Sequence, residues 1–373
     1  LRIVLWSPDD MTSPPRHLVF SNSFSAWHLQ RGLRLLGHQL ESAHPMLGLV
    51  RQATAPPRPG DQLYFTDENM LLQYLDRRDM RFSPRIDNRF IDDKLAFSEW
   101  LTSIGEIPVR YARLPATPAA FPVVLKARHS WQDGRRLSRG VVCTDATAWQ
   151  RACRNLADSP RGFAAAFLQE FVPGAGKEFS TCGFFDVADP RRTAMLVVRR
   201  TVSMGGNLPS GAVVETTADP ADLLPRTCNL LARLDYTGPF ELEFLRRQDG
   251  RYVILELNPR FWMQHGLFID FYDNVLLRRY VDPCDTTPLP DSHGDHPAVW
   301  LNAWHAFRAG CRGDVRALTA YAEVLDRAHR GRARARWYPS WSAVARFTAQ
   351  APYRRVSRFI RAATVRPSSA PAA

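Results

Sequence analysis

Apolar residues recur along the chain at two spacings, about every third or fourth position and every second, and the switches between them mark its elements. "RIVLW" at residues 2–6 reads as a short apolar strand. Leu29, Leu33, Leu36 and Leu40 follow at helical spacing, and "QLYF" reads as a further strand, so residues 1–90 are expected to form a small α/β lobe. "IDDKLAFSEWLTSIG" then opens a helix, with Asp92 or Asp93 at its cap and Gly105 near its stop. Pro108, Pro115, Pro118 and Pro122 lead into "PVVLKA", a buried strand ending on Lys126, and a helix from about Thr144 to Leu156 closes a second segment, 91–165. In 166–290, "AFLQEFVPGAGKEFSTCGFF" reads as strand, Gly-rich turn and strand, and "TAMLVVRRTV" as a strand. "DPADLLPRTCNLLARLDY" follows as a helix capped by Asp219, then "GPFELEFLRRQDGRYVILELNPR" as two alternating strands. Residues 291–373 read as mostly helical with a polar tail, "PSSAPAA".

Composition narrows the class. With 45% hydrophobic residues in 373, the chain can build two or three packed lobes. It has no apolar run of about 18 residues and no charged-then-apolar leader, so a cytoplasmic protein without membrane insertion is expected. The six cysteines show no C-x-x-C spacing, which removes zinc ribbons and a disulfide framework from consideration. His293 and His296 in "HGDH" read as part of a polar loop rather than as metal ligands. A formal charge of +12 with arginines crowding the C-terminal part reads as a solvated helical face, with a polyanion-binding end as the alternative.

Candidate chemistry comes from one hairpin. Asp249-Gly250 signals a two-residue turn, which would place Glu243 opposite Glu256 and Glu241 opposite Asn258, all on one face. The other face would carry Phe240, Leu242, Phe244, Val253, Leu255 and Leu257. Carboxylates opposed at about 5 Å repel one another, so a cation is needed between them. Carboxylates and an amide oxygen without Cys or His suit hard Mg²⁺, with arginines such as Arg260 as the alternative counter-ion. Lysine is informative as well: of 49 lysines and arginines only Lys94, Lys126 and Lys177 are lysine, and a compact ammonium is not interchangeable with guanidinium. Lys126 at a strand end and Lys94 in a helix first turn suggest an anionic ligand, while "QEFV", Gln169, Glu170, Phe171 and Val172, offers edges for a flat base.

In this order, Lys94, V-V-L-Lys126, Q-E-F-V with Glu178, Glu243, and E-L-N-P-R from Glu256 to Arg260, the sequence resembles the ATP-grasp superfamily over residues 91–275. Within it the plan looks like the carboxylate-amine ligases, and most like a D-aspartate-ligase-like group of predicted carboligases. The resemblance implies an ATP-grasp fold of α/β and α+β class: an N-terminal α/β lobe (1–90), a small subdomain (91–165), a large subdomain with the metal site (166–290) and a helical Arg-rich extension (291–373). It implies that Lys94 and Lys126 bind ATP phosphates, Glu170 and Val172 the adenine through their backbone, and Glu178 the ribose. Glu243, Glu256 and Asn258 would hold two Mg²⁺, with Arg260 steadying the transferred phosphoryl group. The loop "RHSWQDGRRLSRG" departs from the Gly-rich phosphate lid of many relatives; Arg135, Arg136 and Arg139 would stand in as side-chain donors, with an ordinary exposed loop as the alternative.

The implied activity is ADP-forming ligation of a small-molecule carboxylate and an amine, such as amino acids, through an acyl phosphate. Arg199 and Arg200 point to opposite faces of their strand, so at most one of them would meet the acid substrate, with a surface pair at a strand end as the alternative; "MGGN" (204–207) lies near enough in sequence to line the acceptor site, or simply makes a turn. The alternatives are an ATP-grasp kinase or carboxylase, and a non-catalytic nucleotide-binding protein with a nucleic-acid-contacting basic end.

Overall fold

The computed structural model describes residues 15–338, 341 and 345, except 21–23, 44–49, 51–52, 54, 85, 133–134, 137–139, 160, 174–177, 205–209 and 291–295. The expected strand at 2–6 and the polar tail lie outside the described residues.

The first lobe contains β1 (His17–Val19), α1 (Phe24–Leu35), β2 (Leu40–Ser42), β3 (Gln62–Tyr64) and α2 (Glu68–Tyr74). Its strands form a parallel sheet in the order β2-β1-β3. Leu18, Val19, Leu63 and Tyr64 are fully buried, as expected of a parallel sheet covered on both faces. The helical stripe breaks earlier than its spacing suggests: Leu29 and Leu33 are buried in α1, Gly37 turns the chain at φ +81°, and Leu40 belongs to β2.

The second lobe follows with α3 (Lys94–Ser103), β4 (Tyr111–Arg113), β5 (Val123–Ala127), β6 (Trp131–Gln132), β7 (Arg135–Arg136), β8 (Gly140–Cys143), α4 (Ala146–Ala157) and β9 (Ala166–Glu170). Four of these strands make an antiparallel sheet, β4-β9-β5-β8. Trp149 and Ala152 of α4 pack on Val123, Leu125 and Cys143. The expected lid region contains the small β6-β7 hairpin. Arg139 lies outside the described residues.

The third unit has β10 (Glu178–Asp186), β11 (Ala194–Met204), β12 (Ser210–Thr217), α5 (Leu223–Arg233), β13 (Thr237–Arg246), β14 (Tyr252–Asn258), α6 (Gly266–Phe271) and α7 (Val275–Val281). Then come β15 (Ala298–Asn302), α8 (Ala303–Arg312), α9 (Val315–His329) and β16 (Arg334–Tyr338). Its sheet has seven strands, β14-β13-β10-β11-β12-β15-β16. On one face Leu223, Leu230 and Leu231 of α5 meet Phe240, Leu242, Phe244, Ile254 and Leu257, together with Phe97 and Leu101 of α3. The opposite face packs Cys182, Leu196, Val198 and Val214 among residues of α1, α6 and α7, and rises at its other end into the charged site. α5 starts after Asp222 rather than Asp219, because Asp219 is held in the preceding turn by Thr217 and precedes Pro220. Among the described residues after 290, α8 and α9 carry the expected helices, and two strands that were not expected, β15 and β16, extend the large sheet. "AVWLN" is too short for its periodicity to separate strand from helix, and the arginines of "RARWY" obscured an alternating strand.

Candidate active site

The hairpin delivers the expected pairs by a different route. Glu241 faces Asn258 and Glu243 faces Glu256, but beyond them the register shifts, so Phe244 faces Ile254 and Arg246 faces Tyr252. The loop is longer than a two-residue turn, with Arg247 N–H donating to Arg251 O at 2.9 Å and Gly250 at φ +86°. Leu255 is the extra residue of a bulge that absorbs the difference. Ile254 and Tyr252 therefore take the core face, together with Leu257, where Val253 and Leu255 were expected. Edge contacts fix this geometry: Val109 N–H donates to Ile254 O and Ile254 N–H to Ile107 O, both at 2.9 Å.

One connected group of side chains grows from that register. Lys126 Nζ, brought by β5 of the four-stranded sheet, lies 3.0 Å from Glu256 Oε2. Asn258 Nδ2 donates to Glu243 Oε1 at 2.9 Å and to Glu241 Oε2 at 3.3 Å. Arg260 Nη2 donates to Asn258 Oδ1 at 3.2 Å. From β11, Arg200 bonds Glu178 Oε2 at 2.7 Å and lies 3.5 Å from Glu243 Oε2. Arg199, its neighbour, faces the other way, where Glu215 holds it together with Arg327 of α9. Only Arg200 of the pair turns toward the cleft.

The two described lysines reach this cleft from separate elements. Asp93 caps α3 by accepting from Ala96 N–H at 3.0 Å and is itself gripped by Arg128, so the first turn carrying Lys94 is fixed. Lys94 Nζ then meets Ser130 Oγ at 2.7 Å and Asp92 Oδ1 at 3.3 Å. Asp92, the other capping candidate, instead accepts Ser130 N–H at 2.7 Å. A small cavity is lined by Lys94, Asp92, Glu256 and Asn258 together with Glu68 of α2. Lys177 and 205–207 of the "MGGN" turn lie outside the described residues.

The segment expected to hold a base, Gln169 to Val172, borders the same sheet. Gln169 is buried at the end of β9, and Phe171 and Val172 continue it half-buried. Val123 faces Glu170 and Lys126 faces Phe167 across β5 and β9, so this segment and the lysine stand about 10 Å apart along the strands. The Glu170 carboxylate is taken by Arg247 and Arg110, and its N–H by Arg110 O, so the acid itself is engaged within the protein.

Electrostatics test whether a cation fits. Burial pushes the Glu241 carboxyl up to about 8, with the Glu243 charge adding to it. Burial and then the Glu256 charge push Glu243 up as well. Arg200, Lys126 and Arg260 therefore do not fully offset the carboxylates, and an added hard cation is favoured there. The donors offered are two glutamates and an amide; among the described residues no three His, Cys, Asp or Glu side chains form a cage. That sparse all-oxygen set suits Mg²⁺, which completes its shell with water and phosphate.

Sequence reasoning missed Glu68. Its carboxylate bonds Arg260 Nε at 2.6 Å across 192 positions of sequence, and no local spacing could have announced it.

Neither protein-family models nor curated protein sequences match the chain. Solved structures do. An N5-carboxyaminoimidazole ribonucleotide synthetase in its ADP complex aligns with TM-score 0.57 at 16% identity, over 81% of this chain and 86% of that one. L-amino acid ligase from Bacillus licheniformis aligns with TM-score 0.56 at 13% identity, over 73% and 75%. The biotin carboxylase domain of the Hydrogenobacter thermophilus 2-oxoglutarate carboxylase, in complex with MgADP and bicarbonate, aligns with TM-score 0.53 at 14% identity, over 71% and 69%. Likeness at such identities establishes architecture, and the chain accordingly has the ATP-grasp fold that its motif order implies.

Proposed function

We propose that the protein is an ATP-dependent carboxylate-amine ligase that forms an amide or peptide bond and releases ADP and phosphate. The observation that carries this reading is the meeting of Lys126 with Glu256 at 3.0 Å, which joins the phosphate-side cation to the acidic hairpin in one cleft. Backbone edges of Glu170 and Val172 would receive the adenine, and Glu178 the ribose, with Arg200 fixing the Glu178 carboxylate. Lys94 and Lys126 bind the phosphates as point charges. Glu243, Glu256 and Asn258 would hold Mg²⁺, two ions in the full site, which supplies charge neutralisation along the phosphate chain.

The substrate carboxylate attacks the γ-phosphorus, the bond to the β-phosphate oxygen breaks, and ADP leaves with an acyl phosphate formed. Arg260 steadies the transferred group, and Arg200, bonded to Glu178 and paired with Glu243, turns toward the acid. An amine then attacks the acyl carbon, inorganic phosphate departs, and the amine loses its proton to solvent. Fixed cations aimed at the transferring oxygens are the main source of rate. A covalent protein nucleophile has no place in this scheme.

ADP release that requires both an acid and an amine, with a hydroxamate appearing when hydroxylamine replaces the amine, tests the reading. A stable phosphorylated product made without any amine contradicts it and points to a kinase. A second reading, carboxylation, draws on the similarity to a domain whose structure holds bicarbonate. ADP release dependent on labelled bicarbonate, with label entering the product, would favour that one.

A further inference from the structure

Among the described residues, the first lobe meets the cleft at the start of α2. α2 starts after Asp67, which caps it by accepting Met70 N–H at 3.1 Å, and presents Glu68 in its first turn. Glu68 is 7% exposed, and its Oε1 accepts from Arg260 Nε at 2.6 Å. The lobe grips the same segment through its backbone, with Phe261 N–H donating to Phe65 O at 3.0 Å. Arg260 also donates from Nη2 to Asn258 Oδ1 at 3.2 Å and from Nη1 to Phe261 O at 3.3 Å.

These contacts leave the guanidinium little freedom. Of its five N–H donors, three are directed at named protein acceptors among the described residues, one on each nitrogen. The remaining two sit one on each terminal nitrogen, and the charge-assisted bond at Nε holds the plane that carries them. Glu68 lines a small cavity together with Lys94, Glu256 and Asn258, which sets the tether beside the residues assigned to the cleft.

We propose that Glu68 is a positioning residue: it aims Arg260 at the terminal phosphoryl group of the nucleotide, and so makes the first lobe part of phosphoryl recognition. This rests on the reading of the cleft as an Mg-ATP site. Glu68 itself touches no reacting atom. An orienting bond of this kind affects a ligand that carries the extra phosphoryl group and spares one that lacks it, which separates it from a merely structural ion pair.

Calorimetric titration with Mg-ATP and Mg-ADP tests the inference, alongside thermal unfolding, on the full chain and on Glu68→Ala, Arg260→Ala and the double variant. The expected result for Glu68→Ala is about tenfold weaker Mg-ATP binding, with Mg-ADP affinity within about twofold of the parent, and a double variant no weaker than Arg260→Ala. Should Glu68→Ala fail to fold, Glu68→Gln keeps the shape and the acceptor, loses the charge, and is expected to lose about threefold for Mg-ATP alone. Unchanged Mg-ATP affinity in the Glu68 variants beside a weakened Arg260→Ala overturns the inference and leaves the proposed function standing. Equal losses for both nucleotides, tracking a lowered unfolding temperature, also overturn it in favour of a structural link. Absence of Mg-ATP binding by the parent chain overturns the proposed function and the inference with it.

Discussion

The cleft carboxylates, buried Glu241 and half-buried Glu243, and the buried rings of His28 and His265 are two polar pairs whose surroundings push proton affinity in opposite senses. In the cleft, two acids are driven upward because burial and like charge disfavour ionisation, although Arg200, Lys126 and Arg260 stand close. Under α1 and α6, His28 and His265 meet edge to face at 5.4 Å, with Tyr338 against His28 at 5.0 Å. Among the described residues neither ring nitrogen of His28 has a hydrogen-bond partner, and burial drives both rings down toward neutrality. Asp270 supplies the nearby counter-charge, bound by both terminal nitrogens of Arg31 at 2.6 Å and by Tyr338. The difference separates a site from a seam. A sealed cluster settles into neutral rings and closed ion pairs, while the open cleft keeps unbalanced acid that a ligand-borne cation can complete.

The largest expected effect breaks the cleft side of that contrast. Glu256→Gln removes the carboxylate proposed to hold Mg²⁺ and the partner of Lys126, and should lower ADP production by about a thousandfold. Full activity in that variant would remove the hairpin from the chemistry. Lys126→Arg comes next. Lys126 is 8% exposed, so a planar fork has no room to replace the point charge, and Mg-ATP affinity should fall by about tenfold or more by calorimetry. Neither change should alter the pH dependence that the histidine seam produces.

That dependence is the third expectation, and its sign can be worked through. His265 is held at about 4 against the ordinary 6.5, so between those values the unfolded chain takes up protons that the folded chain refuses. Stability is fully present above pH 6.5 and is lost as pH falls toward 4, by about 3 kcal/mol from His265 alone. The cleft has the opposite slope: Glu241, pushed to about 8, weakens the metal-free fold as pH rises from about 4.5 toward 8. Urea unfolding across pH 5 to 9 with and without Mg²⁺ separates the two. Mg²⁺ should remove the alkaline loss only, and His28→Phe should soften the acid loss only. A Mg²⁺ effect on the acid limb would undo the distinction between the regions.

The histidine seam shows what a linear reading cannot reach. Its members come from α1, α6 and β16, and nothing near His28 in sequence marks it as a partner of His265. The same holds for Glu68 and Arg260, joined only by folding. The cleft was legible for a physical reason: alternate residues of a strand share a face, so Glu241, Glu243, Glu256 and Asn258 announced their proximity through spacing and one turn. Lys94 and Lys126 stood out because arginine fills almost every other cationic position. Where short apolar runs carried the reading, as at Leu40 and in β15, helix and strand could not be distinguished, and tertiary pairing decided.

The smallest effect concerns the turn at the hairpin tip, across the bulge from the site's register. Gly250 adopts φ +86°, and a Cβ there would meet nothing within 4 Å, so Gly250→Ala pays only the backbone penalty of a left-handed conformation. A loss of about 1 kcal/mol in urea unfolding is expected. Mg-ATP affinity should stay within about twofold, because the bulge at Leu255 and the edge bonds of Ile254 to Ile107 and Val109 hold the Glu243–Glu256 pairing independently of the loop. An affinity that drops with the turn would mean that the loop sets the register and the bulge merely follows. In that case the acidic face would be built from the hairpin tip inward, and lengthening the loop by one residue should disable the cleft as thoroughly as removing Glu256.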